Sequence, residues 1–235
     1  MTSLCIADTR EHARLTARED AVCFFSWIED GEGKCTLTAL SPLAERVATH
    51  FQAYEAKGVD PISQGALAAL DRTLAPCLAE HGYTPDIANR DFCRIFLVKS
   101  TDSLSKIDLS STVLLKTVDN YQNLTTIDLP AALRAGCVAY GYIEDGRILS
   151  VALTHTPPQD NTAEITLETA CGYRGLGYAK AALAALTAAL TARGISVYYR
   201  TRSQNEASAR TALAVGYRAA GRYYRYLGRR GKNGL

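Results

Sequence analysis

The stretch from Ile165 to Gly194 constrains the fold more than any other part of the chain. A β-prone run, Ile165-Thr166-Leu167-Glu168-Thr169, passes through Ala170-Cys171-Gly172-Tyr173-Arg174-Gly175-Leu176-Gly177 directly into a helical pattern. That pattern keeps Leu183, Leu186 and Leu190 on one face and stops at Gly194. A strand that turns into a helix through glycines brings unpaired backbone N–H groups and the positive end of a helix dipole into one small space. Such a space suits an anion. Gly175 and Gly177 lack the side chains that would hold a phosphate away from the backbone, and Ala179 keeps the first helical turn thin. A pyrophosphate is the natural occupant.

The surrounding pattern alternates strands and helices. Ile127 to Ala135 reads as a short helix. The runs Val138 to Ile143 and Ile148 to Leu153 flank Glu144-Asp145-Gly146-Arg147, whose Asp-Gly predicts a tight hairpin. After the loop come a helix from about Tyr178 to Arg193, a strand at Val197 to Thr201, a helix from about Asn205 to Val215 and a final strand near Tyr223 to Leu227. The class this predicts is α+β with a central mixed sheet. Upstream, β-prone runs at Val22 to Trp27 and Cys35 to Leu40 surround an Asp30-Gly31 turn. Ser41-Pro42 opens an amphipathic helix carrying Leu43, Val47, Phe51 and Tyr54 to Gly58. A second helix from about Ser63 to His81 holds Leu67, Leu70, Leu74 and Leu78 in register, with Pro76 expected to kink or split it. A strand at Cys93 to Val98 follows, and the polar stretch from Ser100 to Ser111 is the best boundary. The division expected is an N-terminal hairpin-plus-helices region over 1–100, a second domain over 101–228 and a basic tail over 229–235.

With 235 residues, 47% of them hydrophobic, 21% charged and a net charge of +2, the chain can bury a real core and demands neither a nucleic acid nor a membrane partner. No run is long and apolar enough for a secretory core or a membrane span, so a cytoplasmic location is expected. The seven cysteines are odd in number, scattered and without a Cys-x-x-Cys pair, which argues against a disulfide framework and a zinc site. No metal is expected. Asn123-Leu124-Thr125 matches a glycosylation sequon by coincidence of composition, and the basic positions Arg218, Arg222, Arg225, Arg229, Arg230 and Lys232 read as solvated charge.

A Walker loop needs Gly-Lys-Ser/Thr after its glycines and a dinucleotide fingerprint needs Gly-x-Gly-x-x-Gly; the sequence has neither. What stands here is Arg174-Gly175-Leu176-Gly177-Tyr178-Ala179, which resembles the coenzyme A motif Gln/Arg-x-x-Gly-x-Gly/Ala of the GNAT (GCN5-related) N-acetyltransferases. About thirty residues on, Ser203-Gln204-Asn205-Glu206-Ala207-Ser208 followed by Val215-Gly216-Tyr217 is similar to that family's next motif, where Asn begins a helix and Gly plus an aromatic residue ends it. The hairpin at Val138 to Leu153 and the strand near Tyr223 extend the resemblance over about residues 107–227. It implies the GNAT acyl-CoA N-acyltransferase fold, a mixed, mostly antiparallel sheet flanked by helices, here with an N-terminal α/β extension.

By that resemblance acetyl-CoA is the acyl donor and an amine the acceptor. The backbone of Leu167, Glu168 and Thr169 would hold the pantetheine arm. Arg174, Gly175, Leu176, Gly177, Tyr178, Ala179 and Lys180 would hold the pyrophosphate, with Asn205 and Ser208 on the arm's far side. Acetyl transfer needs a neutral amine, so a base must take its proton. Glu164 and Glu168, on the strand beside the thioester, are the catalytic candidates, although neither sits at the offset from Arg174 that the family's carboxylate takes. His155 is a second candidate base. The family's acid, a Tyr on the helix after the Asn, is replaced by Ala212, which leaves water or one of Tyr198, Tyr199, Tyr217, Tyr223, Tyr224 and Tyr226. Cys171 beside the loop invites an acyl-cysteine route, against the family's habit of direct attack.

The expected activity is direct transfer of an acetyl group to a primary amine. The alternatives are a coenzyme-A-binding regulatory module without turnover and an acyltransferase using a longer acyl-CoA. The N-terminal hundred residues either wall the acceptor side or mediate oligomerisation, a homodimer included.

Overall fold

The computed structural model describes residues 2–7, 21–87, 90–98, 101–117 and 124–230. Asn123 of the sequon lies outside them. The chain divides into two compact units, 1–93 with 221–235 and 94–220. Two strands, β5 (Asp91–Val98) and β11 (Tyr217–Arg230), carry residues of both.

In the first unit β1 (Ser3–Ala7) runs parallel to β3 (Cys35–Leu40), which pairs antiparallel with β2 (Ala21–Asp30). The far edge of β2 pairs with residues 221–229 of β11, whose end also meets β4 (Tyr83–Pro85). The helices are α1 (Ser41–Glu55) and α2 (Gln64–Glu80). Phe25, Trp27, Leu37, Val47, Phe51, Leu70, Leu74 and Tyr226 form their shared core, so the helical and strand periodicities both find their predicted burial.

Local details differ from the sequence reading in three places. The β2–β3 turn takes its positive φ at Gly33 (78°), because Asp30 Oδ1 accepts the N–H groups of Glu32 and Lys34 and folds the turn over its own side chain. Ser41 lies inside the first turn of α1, with Leu40 at the cap position and no side-chain cap bond. Pro76 neither splits nor ends α2, which runs on to Glu80 from a cap at Ser63.

The C-terminal stretch also differs from a solvated tail. Residues 221–230 continue a 14-residue strand into the first unit, where Arg222 pairs with Glu29 and Asp60, and Arg229 with Asp86 at 2.7 Å. Those carboxylates lie far away in sequence, so no local pattern announces the pairing.

The second unit orders its strands β5, β10 (Ser196–Arg202), β9 (Thr162–Thr169), β8 (Arg147–Thr154), β7 (Ala139–Glu144) and β6 (Thr112–Leu114). β10 and β9 are parallel, while β9–β8, β8–β7 and β7–β6 are antiparallel. This is the expected α+β class, with a mixed, mostly antiparallel sheet. The hairpin turn puts both central residues at positive φ, Asp145 at 49° and Gly146 at 70°, the requirement of a type I′ turn.

Alternation along the strands splits the core in two. Ala152, Ala163, Ile165, Val197 and Tyr199 pack with α4 (Tyr178–Thr191) and α5 (Glu206–Val215). Ala139, Ile148, Val151 and Leu153 pack instead with Leu115, Leu124 and Leu129, the last on α3 (Leu129–Arg134).

Where β11 meets β2, a Cβ on Gly221 would collide with the backbone carbonyl oxygen of Glu29. Since both partners are backbone, neither can swing aside. Gly221→Ala is expected to cost about 1–3 kcal/mol, read as a fall of several degrees in the thermal midpoint. An unchanged midpoint would show that the two strands do not approach so closely.

Candidate functional site

β9 and β10 pair only over Ser196↔Thr162 to Tyr199↔Ile165, although β9 continues to Thr169 and β10 to Arg202. Beyond that point two parallel strands part within one sheet. A cavity of about 290 Å³ lies there, lined by Thr126, Leu167, Glu168, Thr169, Arg174, Gly175, Ala179, Asn205, Ala207, Ser208 and Thr211. A second cavity, of about 310 Å³, shares Thr169, Gly175, Ala179, Ala207 and Thr211 with it and adds Tyr173, Gly177, Tyr178, Lys180, Arg210 and Ala214. Together they run along one groove, from the parted strands to the start of α4.

Every residue for which the resemblance implies coenzyme contact lines this groove except Leu176, which points outward at 59% exposure. The loop is built as its glycines demand. Gly175 and Gly177 have φ of 82° and 89°, which L residues rarely adopt, and a Cβ at either would meet no protein atom within 4 Å. Open space therefore lies over both. Gly177 is the N-cap of α4 with no side-chain cap, so the N–H groups of Tyr178, Ala179 and Lys180 lack an intrahelical acceptor. Tyr178 is fixed by a ring stack on Tyr142, with centroids 4.2 Å apart, and by its hydroxyl donating to Glu144 Oε2 at 3.2 Å.

Across the groove, Asn205 caps α5: its Oδ1 accepts the N–H of Ser208 at 3.1 Å. The helix ends at Gly216 with φ of 102°. Ala207, Arg210, Thr211 and Ala214, at i, i+3, i+4 and i+7, face the groove, while Ala209, Ala212 and Val215 enter the core.

The two candidate carboxylates share a strand face but not an environment. Glu168 is 8% exposed, and its carboxylate accepts the backbone N–H groups of Thr125 (2.7 Å), Thr126 (3.1 and 3.2 Å) and Ile127 (2.9 Å). Burial pushes its pKa up. The donors at Thr125, Thr126 and Ile127 outweigh that and hold it below the ordinary carboxylate range. Glu168 thus fastens the 125–127 segment to β9, a task invisible in sequence because its donors lie some forty positions upstream.

Glu164 sits opposite Tyr198, one pair before the strands part. Its Oε1 lies 3.0 Å from Arg200 Nη2, and its Oε2 accepts the Tyr198 hydroxyl at 3.2 Å. Burial, then the Glu164 charge, push Tyr198 up to about 12. His155 is exposed, with Nδ1 3.3 Å from Thr166 Oγ1. Cys171 is exposed and not among the described lining residues of either cavity. Ala212 and Tyr217 are fully buried, the latter sharing a 2.7 Å hydroxyl contact with Thr187. Tyr223, Tyr224 and Tyr226 belong to the first unit.

Residues 134–226 match the family model described as GNAT acetyltransferase, which bears out the resemblance carried by the two motifs. No curated protein matches the chain. Among solved structures, the chain is similar to a GNAT-family protein from Novosphingobium aromaticivorans (21% identity, covering 63% of this chain and 68% of that one, TM-score 0.49). It is also similar to a GCN5-related N-acetyltransferase-like protein from Streptococcus suis (22%, 70% and 68%, 0.45). A third is an acetyltransferase of the GNAT family from Colwellia psychrerythraea (15%, 72% and 75%, 0.47). No helix among the described residues is long and apolar enough to cross a membrane.

Because the folded pKa of Glu168 is lowered, its stabilising effect is fully present above the unfolded value of about 4 and is lost as pH falls through the folded value. Glu168→Gln is expected to cost about 1–3 kcal/mol at pH 7, and the gap from wild type to close in acid. Denaturant titrations at neutral pH and near pH 3 measure both. A gap independent of pH would show that the carboxylate charge is not what holds the 125–127 segment.

Proposed function

We propose that this GNAT-type domain binds acetyl-CoA in the groove beside β9 and transfers the acetyl group directly to a primary amine. The observation that carries the reading is the joint one: strands that part where a pantetheine arm needs backbone partners, leading to a glycine-lined helix N-terminus that suits a pyrophosphate. The exposed backbone edge of β9 from Thr166 to Thr169 offers the arm strand-like hydrogen bonds. The N–H groups of Tyr178 to Lys180 and the Arg174 side chain face the phosphates.

In the reaction, the amine lone pair attacks the thioester carbonyl carbon, the C–S bond breaks, and the amine's proton must leave. Glu164 is the better base of the two carboxylates. Among the described residues Glu164 is held by the Arg200 guanidinium and the Tyr198 hydroxyl, which leaves it lone-pair capacity to spare, whereas each Glu168 oxygen already accepts two or more hydrogen bonds. Glu164 acts through water, and Tyr198 and Arg200 orient its carboxylate.

No tyrosine is a good acid for the departing sulfur. Tyr198 at about 12 holds its proton more tightly than a thiol of ordinary pKa near 8.5, and Tyr217 is buried and bonded to Thr187. Solvent then protonates the thiolate. The absence of an acid at the buried Ala212 is also what a coenzyme-binding module without turnover would show. Donor chain length, acetyl or longer, is open to direct comparison.

Calorimetry is expected to detect coenzyme A binding, and a thiol-release assay over an amine panel to find turnover. Glu164→Gln should lower kcat by about 10²-fold or more with little change in coenzyme affinity. No binding at millimolar coenzyme A would sink the reading; binding with silence toward every amine favours the module.

A further inference from the structure

The last turn of α2 brings together three metal-ligating side chains that the transfer chemistry does not use. Cys77, Glu80 and His81 stand at i, i+3 and i+4, the spacing that puts residues side by side on one helix face. The thiol sulfur, a carboxylate oxygen and a ring nitrogen lie within 4.8 Å of one another. Cys77 is partly buried against the core of the first unit, while Glu80 and His81 are exposed, so the trio is anchored on one side and open on the other. His81 Nδ1 lies 2.9 Å from the Cys77 carbonyl oxygen, which holds the ring over the turn.

The electrostatics of this helix end favour a cation. A helix C-terminus carries the negative pole of the dipole and unsatisfied carbonyl groups, which Lys or Arg side chains commonly answer. The last turn of α2 has no basic residue and carries a carboxylate instead. Glu80 forms no ion pair among the described residues. We propose that Cys77, Glu80 and His81 bind one divalent cation of the zinc type, with water in the fourth position. Thiolate, imidazole and carboxylate together select a borderline metal over calcium or magnesium, whose ligands are oxygen. Tetrahedral zinc needs ligand atoms roughly 3.5 Å apart, so the three must draw in by about 1 Å, which rotation of the exposed Glu80 and His81 side chains supplies. On binding, the S–H bond of Cys77 breaks, the sulfur keeps the electron pair for the metal and the proton goes to solvent. The ion then fastens the turn at Gly82 through which α2 passes into β4. The absence of a Cys-x-x-Cys pair excludes a four-thiolate site and leaves this one, whose spacing is set by a helical turn. None of the three residues lines either groove cavity, and the site needs no coenzyme.

The test is a cobalt(II) titration of the full, untagged chain in a non-chelating reductant, followed by displacement with zinc. Wild type should take up one equivalent with a thiolate-to-cobalt charge-transfer band, which zinc then abolishes. Cys77→Ser should lose the band, and Cys171→Ser, which removes an exposed thiol elsewhere, should keep it. Glu80→Gln and His81→Gln lie at exposed positions and leave the core intact. Each should weaken zinc at least about tenfold, since even an outer-shell partner of a metal is worth that much. Affinity should fall with pH, because thiol and imidazole must shed protons to bind. No charge-transfer band with excess cobalt, a band that persists in Cys77→Ser, or zinc affinity unmoved in both Glu80→Gln and His81→Gln overturns the proposal. Should Cys77→Ser fail to fold, the two exposed variants decide.

Discussion

The separation of β9 from β10 after Ile165 and Tyr199 is the constraint on which the second unit's groove depends. Parallel strands in a sheet normally continue to pair, because an unpaired buried backbone edge costs as much as the hydrogen bonds it forgoes. Here the pairing stops although both strands continue. Ala163, Ile165, Val197 and Tyr199 are locked against α4 and α5 below the fork, and Glu168 binds the 125–127 segment to β9 above it. β9 runs on past the fork to Thr169 with no pairing to β10.

The loop that follows converts that edge into a site with direction. At one end lie strand-like donors and acceptors; at the other lie helix N–H groups over two glycines with nothing above them. A ligand with an amide-rich arm and a doubly charged middle satisfies both ends at once. Such a ligand is oriented before any side-chain contact is counted.

Glu164 and Glu168 show how one sequence pattern hides two environments. Strand alternation places them on the same face, and their chemistry is identical. Their surroundings separate them: three consecutive backbone N–H groups on one, an arginine and a tyrosine hydroxyl on the other. A carboxylate saturated by backbone donors is a fastener, and one with spare lone pairs is available to a proton.

The sequence by itself determined what depends on neighbours along the chain. Glycines at positive φ, the Asp-Gly hairpin, the Asn205 cap and the helical leucine stripes each rest on contacts within a few residues, and so the loop, the hairpin and most groove-lining positions were legible. The tertiary structure alone decided what depends on distant partners. It joined 221–229 to β2, made ion-paired strand residues of Arg222 and Arg229, bound Glu168 to a segment some forty residues upstream, and turned Arg210 toward the groove. Backbone propensity is local and travels with the sequence. The partner of a charge is fixed only when strands and helices pack.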